Sequence, residues 1–310
     1  MRILDGIDTF LDRLESVEVR PLALAIVCHL LRLACTSMAW RNVLAAAYPG
    51  ERVRWLAIYG SYLAGVAVNA IVPARGGDAV RIVLAHRAIP GSTYTTVISS
   101  TLVLSIFDVF AATLFFGWAL AAGALPGLQA LPRLESFDFA WLFARPILFE
   151  VLVAGLLIAF VVLGFWLSGH VSSFSARVGQ AFRVLRPPTR YLGRVALWQA
   201  ADWLLRLAAI WFFLDAFDIP QSLENATLVQ VSQSAATLMP ITPAGIGTEQ
   251  AFLLYVLAGA APASVLLAFS VGAKLTLTVT NVVAGFTAML VMLGTVRYSR
   301  ALGGREGSQS

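Results

Sequence analysis

Charge is what this sequence has least of. Only 13% of its 310 residues are Asp, Glu, Lys or Arg, while 59% are hydrophobic. A water-soluble domain carries about 25% charge to cover its surface, so a soluble catalytic body is excluded. Cysteine is nearly absent too. Cys28 and Cys35 are the only two, inside one apolar run and at a spacing that fits no metal or redox motif, so a disulfide framework is excluded. His29, His86 and His170 are too scattered for a histidine-built metal site; no metal and no other cofactor is expected. There is no Gly-x4-Gly-Lys-Ser/Thr loop for ATP, no His-Glu-x-x-His zinc motif and no Gly-x-Ser-x-Gly elbow. The N-terminal region lacks the basic-then-apolar order of a cleavable signal, being crowded with Asp5, Asp8, Asp12, Glu15 and Glu18. The formal net charge of +5 is the arginine excess of cytoplasmic loops and gives no argument for nucleic acid as a partner.

What is present is a succession of apolar runs of about 20 residues, each enough to cross a hydrocarbon core roughly 30 Å thick. They predict an all-α fold, a polytopic transmembrane helix bundle. Spans are expected near 21–40, 55–72, 94–123, 147–167 and 195–214, with a last stretch near 264–296. Residues 226–239 and 250–260 are apolar but too short to span comfortably, and they flank a Pro/Gly break. They read either as a re-entrant hairpin or as a broken helix pair. Residues 1–20 place Ile3, Leu4, Ile7, Phe10, Leu11, Leu14 and Val17 on one helical face, an amphipathic helix lying on the membrane or on the protein itself. The transmembrane domain is expected over 21–298 and a disordered cytoplasmic tail over 299–310. Arg177, Arg183, Arg186, Arg190 and Arg194 place their loop in the cytoplasm; counting spans from there puts both termini inside, in the cell (inner or plasma) membrane.

Charges inside the spans need a reason, because each costs about 2.5–3.5 kcal/mol on insertion scales. Arg32, Asp108, Asp202, Arg206 and Lys274 are such charges. Asp202 and Arg206, four apart, are placed to pair on one helix. Arg32, three residues after His29, needs an acid from elsewhere, and Asp108 is a candidate. Lys274, Thr278, Asn281 and Gly285 form a polar or small stripe on the last span; Gln230, Gln233, Ser234 and Thr237 form another on the arm before the break. Two such stripes line either a hydrated cavity or a hydrogen-bonded helix contact.

Two Pro/Gly breaks resemble each other. The first is Asn69-x3-Pro73-Ala-Arg75-Gly-Gly77-Asp78, followed by Arg81; the second is Pro240-x2-Pro243-x-Gly245-x-Gly247-x-Glu249. In each, proline precedes glycines and an acid opens a new helix, where the helix dipole favours it. Paired interruptions in two halves point to an internal, inverted repeat with a binding site at its interface. Glycine-bearing helix starts suit an anion, and the guanidinium forks of Arg75 and Arg81 suit a phosphate. The bland reading of the first break is a cytoplasmic turn with ordinary positive-inside arginines.

These residues carry a resemblance to the membrane domain of the lysylphosphatidylglycerol synthase/flippase family, over about 21–297. Its carriers are Trp40-Arg41, Asn69 with Pro73-x-Arg75-x-Gly77-Asp78-x-x-Arg81, Asp108, and the Pro240 to Glu249 motif. Lys274 stands where the family usually has arginine. Leu104-Ser105 replaces the usual acid-plus-arginine pair before the aspartate, and Gly76-Gly77-Asp78 replaces a more usual Gly-Glu ending. The resemblance implies movement of a polar or charged lipid between leaflets, and no aminoacyl transfer, since no soluble synthase domain is seen. The substrate-binding set implied is Asn69, Arg75, Asp78, Arg81, Pro240, Pro243, Gly245, Gly247, Glu249 and Lys274, with Arg32, Asp108, Asp202 and Arg206 in support. The partner expected is a membrane lipid: a phospholipid, a glycolipid or a polyprenyl-linked lipid. A homo-oligomer is compatible with these features. Two rivals stand: a membrane-embedded lipid-modifying enzyme with Asp78 or Glu249 as base, and a non-transporting assembly partner of an envelope lipid enzyme.

Overall fold

The computed structural model describes residues 17–72, 76–121, 172–185, 188–238 and 248–306. Among these the chain is helical throughout, without a strand. The helices are α1 (Val19–Ala47), α2 (Trp55–Ile71), α3 (Gly76–Ala88), α4 (Tyr94–Ala121) and α5 (Ser172–Ala181), then α6 (Pro188–Ala216), α7 (Leu223–Leu238), α8 (Thr248–Val256) and α9 (Ala263–Glu306). Among the described residues, four stretches are long and apolar enough to cross a membrane: Val19–Ala47, Tyr94–Ala119, Pro188–Ala216 and Ala263–Met292. The protein is therefore a polytopic helical membrane bundle. The expected span at 147–167 and the N-terminal amphipathic helix up to residue 16 lie outside the described residues.

Two packed pairs frame the bundle. α1 and α6 run antiparallel and are fastened at both ends: the Glu18 N–H donates to the Ala216 carbonyl at 3.1 Å, and the Asn42 amide donates to the Arg194 carbonyl at 2.6 Å. α6 contains a π-helical segment, Leu192–Ala196, and stops where Asp218 takes φ 55° and the Ile219 N–H returns to the Leu214 carbonyl at 2.9 Å. The second pair, α2 and α9, is also antiparallel and close because its contact residues are small. A Cβ on Gly285 would strike the Ala67 Cβ and stand 2.6 Å from the Leu63 carbonyl oxygen.

α3 folds back along α2, and the closest point of that hairpin is Gly65 against Gly77. A Cβ on Gly77 would run into the Gly65 carbonyl oxygen, and one on Gly65 would lie 2.7 Å from the Gly77 oxygen. α7 and α8 are 16 and 9 residues long, about 24 and 14 Å at 1.5 Å per residue, and they pack on one another. Their described lengths fall short of the roughly 20 residues that cross a bilayer.

Side chains such as Leu24, Val27, Leu31, Val271, Leu275, Val279, Val283 and Leu290 are exposed along α1 and α9, as lipid-facing residues must be. α9 is helical to Glu306. No proline interrupts it, and a glycine costs a helix only about 1 kcal/mol relative to alanine.

Candidate functional site

The acids that follow the two breaks sit in corresponding places. Asp78 is in the first turn of α3 and Glu249 in the first turn of α8, where the helix dipole favours a negative charge. Each is matched by a cation: Arg81 lies 3.4 Å from Asp78, and the Lys274 Nζ donates to Glu249 Oε2 at 3.0 Å. Lys274 is the one lysine in the sequence; every other cationic chain is arginine.

Asn69, near the end of α2, ties the first break together. Its Oδ1 accepts from the Gly77 N–H at 2.8 Å, and its Nδ2 donates to Asp78 Oδ1 at 3.1 Å. The amide thus satisfies a backbone donor that the start of α3 leaves without an intrahelical partner. Gly77 is required here for the close α2–α3 approach.

A cavity of about 430 Å³ lies between α2, α7, α8 and α9. Asn69 lines it from α2, Gln233 from α7, Glu249 from α8, and Lys274, Thr278 and Asn281 from α9, with Val66, Leu253, Phe269 and Leu277 as apolar wall. Lys274, Thr278 and Asn281 of the α9 stripe and Gln233 of the α7 stripe therefore face a common space, while Gly285 makes a close helix contact with α2. Gln230 is buried and donates to the Ser234 hydroxyl at 3.2 Å. Arg75, Pro240, Pro243, Gly245 and Gly247 lie outside the described residues. Neither Arg81 nor Asp78 is among the cavity's described lining. Arg81 instead packs against the rings of Trp40 and Tyr62, with its Cζ 5.8 Å from each centroid. Tyr62 had no distinguishing sequence signal.

The remaining intramembrane charges form a network beside the cavity. Asp202 is almost wholly buried and receives Arg206 at 3.1 Å, as their spacing predicts, together with Arg32 at 3.5 Å and the Thr36 hydroxyl at 2.8 Å. The acid that meets Arg32 is thus Asp202 and not Asp108, because α1 packs along α6. Asp108 accepts the Trp203 indole N–H at 3.1 Å, and Trp203 in turn carries the Arg206 guanidinium 4.7 Å from its ring centroid. Thr36 was overlooked in the sequence, although 29, 32 and 36 share a helical face.

Fold and site together define a membrane-embedded helical protein whose described helices line a polar, charge-bearing cavity. The sequence matches the family described as lysylphosphatidylglycerol synthase TM region over residues 3–285, and the chain belongs to that family. Comparison with curated proteins gives no match.

Proposed function

We propose that this protein moves a polar or charged lipid, a phospholipid, glycolipid or polyprenyl-linked lipid, between the leaflets of the cell membrane. The observation that carries this reading is the cavity lined by Asn69 from the first break, Glu249 from the second and Lys274 from α9. Its volume falls in the range of about 300–1,000 Å³ usual for small-molecule sites. A lipid headgroup cannot cross hydrocarbon cheaply, and a polar path with exchangeable counter-charges lowers that cost. In this reading the Lys274 ammonium leaves Glu249 to meet the headgroup phosphate and returns once the lipid departs. Arg75 receives the phosphate near the cytoplasmic face, and Arg81, matched with Asp78, holds positive charge beside it. The two breaks act as the related halves of an inverted repeat, with α7 and α8 as a re-entrant hairpin, and both termini are cytoplasmic. A reporter fused after Arg300 tests the orientation and must stay inside.

The activity is tested in vesicles reconstituted with the full chain and fluorescent lipids of several headgroup classes. At least one class should change leaflets faster than in protein-free vesicles, and Arg75→Ala should slow it by about tenfold or more, a rise of about 1.4 kcal/mol in the barrier. If no class moves faster than in empty vesicles, the reading is wrong.

A further inference from the structure

The charge network beside the cavity is wired into it through one histidine. His29 is buried, with its Nε2 2.7 Å from Asn281 Oδ1 and its Nδ1 3.3 Å from Arg32 Nε. Arginine has only donors, so Nδ1 must be the acceptor and carry no proton. Nε2 then carries the ring proton and donates to Asn281, which lines the cavity. Both ring nitrogens are committed to one neutral tautomer, fixed by partners on two sides.

The surroundings are close to charge balance. Arg32 on the same helix and Arg206 on α6 supply two positive charges, Asp202 on α6 and Asp108 on α4 two negative ones; α9 contributes neutral Asn281 and α2 the Tyr62 phenol. A second proton on His29 changes this in a defined way. The Nδ1 lone pair forms an N–H bond with a proton delivered from bulk water, and the contact from Arg32 Nε is lost because two donors would then face each other. Arg32 keeps its other contact, to Asp202. The net result is one added positive charge a single hydrogen bond away from the cavity lining.

We propose that His29, held by Arg32, Asp202 and Asn281, is a proton-binding site that couples proton movement to the charge of the cargo in the cavity. This rests on the lipid-carrier reading and adds its driving ion. An anionic headgroup in the cavity and a proton on His29 stabilise each other, so each raises the occupancy of the other by the same factor. Proton and anionic lipid then travel in the same direction, and the loaded state adds no net charge to the bundle. Histidine suits the task because it is the side chain whose unperturbed charge change falls between about pH 5 and 8.

The test uses vesicles of phosphatidylcholine containing the full chain and a trace of short-chain fluorescent phosphatidylglycerol, with leaflet position read by extraction into albumin. Net movement is compared at equal pH and with about pH 5.5 on one side and about pH 8 on the other. The gradient should accelerate movement toward the alkaline side by about tenfold, within the usual range of coupling between sites. His29→Gln presents an amide N–H to Asn281 and a carbonyl to Arg32 but takes up no proton; whatever its equal-pH rate, it should move lipid no faster under the gradient. A gradient response that survives in His29→Gln, or a wild type that moves lipid without one, overturns the proposal.

If the wild type moves no lipid at all, the carrier reading fails and a second measurement decides the site by itself. The full chain, labelled with ¹⁵N-histidine, is placed in nanodiscs of phosphatidylcholine with or without phosphatidylglycerol. The resonance missing from His29→Gln should report the Nε2–H tautomer at about pH 8. At a common lower pH it should carry more of the second proton when phosphatidylglycerol is present. A His29 signal indifferent to pH and to anionic lipid overturns the proposal, whatever the vesicles show.

Discussion

Replacing Asp202 with Asn isolates the energetic role of an acid shared by two guanidinium groups. The aspartate side chain is 4% exposed and those of Arg32 and Arg206 22% and 28%, so none of the three is well screened by solvent. Removing one partner of a buried ion pair costs about 3–5 kcal/mol, because the opposite charge is left without compensation. Here both arginines lose their acid, while their partial exposure pulls the figure down, giving about 3 kcal/mol. Asn retains the volume and an acceptor for the Thr36 hydroxyl, so packing contributes little to the loss. The assay is unfolding by SDS in mixed micelles, followed by near-ultraviolet circular dichroism. A companion variant combining Arg32→Leu, Asp202→Leu and Arg206→Leu removes the orphaned charges along with the acid, and apolar replacement of a whole buried cluster is often close to neutral. It should recover most of the stability lost in Asp202→Asn. The reasoning is refuted if Asp202→Asn unfolds like wild type, or if the triple variant is as unstable as the single one.

Other consequences follow from particular contacts. Gly77→Ala places a methyl group against the Gly65 carbonyl and should cost about 1–3 kcal/mol in the same unfolding assay, as overpacking does. Gly50→Ala, with nothing within 4 Å of the added carbon, should stay within about 0.5 kcal/mol of wild type. Trp203→Phe keeps an aromatic ring beside Phe115, 5.3 Å away and stacked, but takes the indole N–H from Asp108; a loss of about 1–3 kcal/mol is expected. A Trp203→Phe protein with wild-type stability would mean that the Asp108 carboxylate has another donor.

Much of this architecture is legible in the residues, and the boundary is physical. Hydrophobic length and period mark α1, α2, α4, α6 and α9, since a membrane leaves the backbone few alternatives to helix. Local chemistry marks the acids opening α3 and α8, and helical spacing gives both the Asp202–Arg206 pair and the α9 stripe. Contacts between distant segments are another matter. Arg32 finds Asp202 across 170 positions only because α1 lies against α6, and Lys274 finds Glu249 because α9 packs on α8. A pattern along one helix does not state which neighbour it will meet. Arg81 shows the same limit: nothing in its own stretch of sequence points to Trp40 and Tyr62, the rings it packs against.

The account turns on whether the Glu249–Lys274 cavity receives a charged headgroup. Native mass spectrometry of the purified full chain, released gently from lipid nanodiscs, addresses this most directly. Wild type should retain one class of anionic or zwitterionic lipid in preference to others, and Lys274→Met should lose it by at least about tenfold while remaining folded. Equal retention of the same lipids by wild type and Lys274→Met would contradict the account.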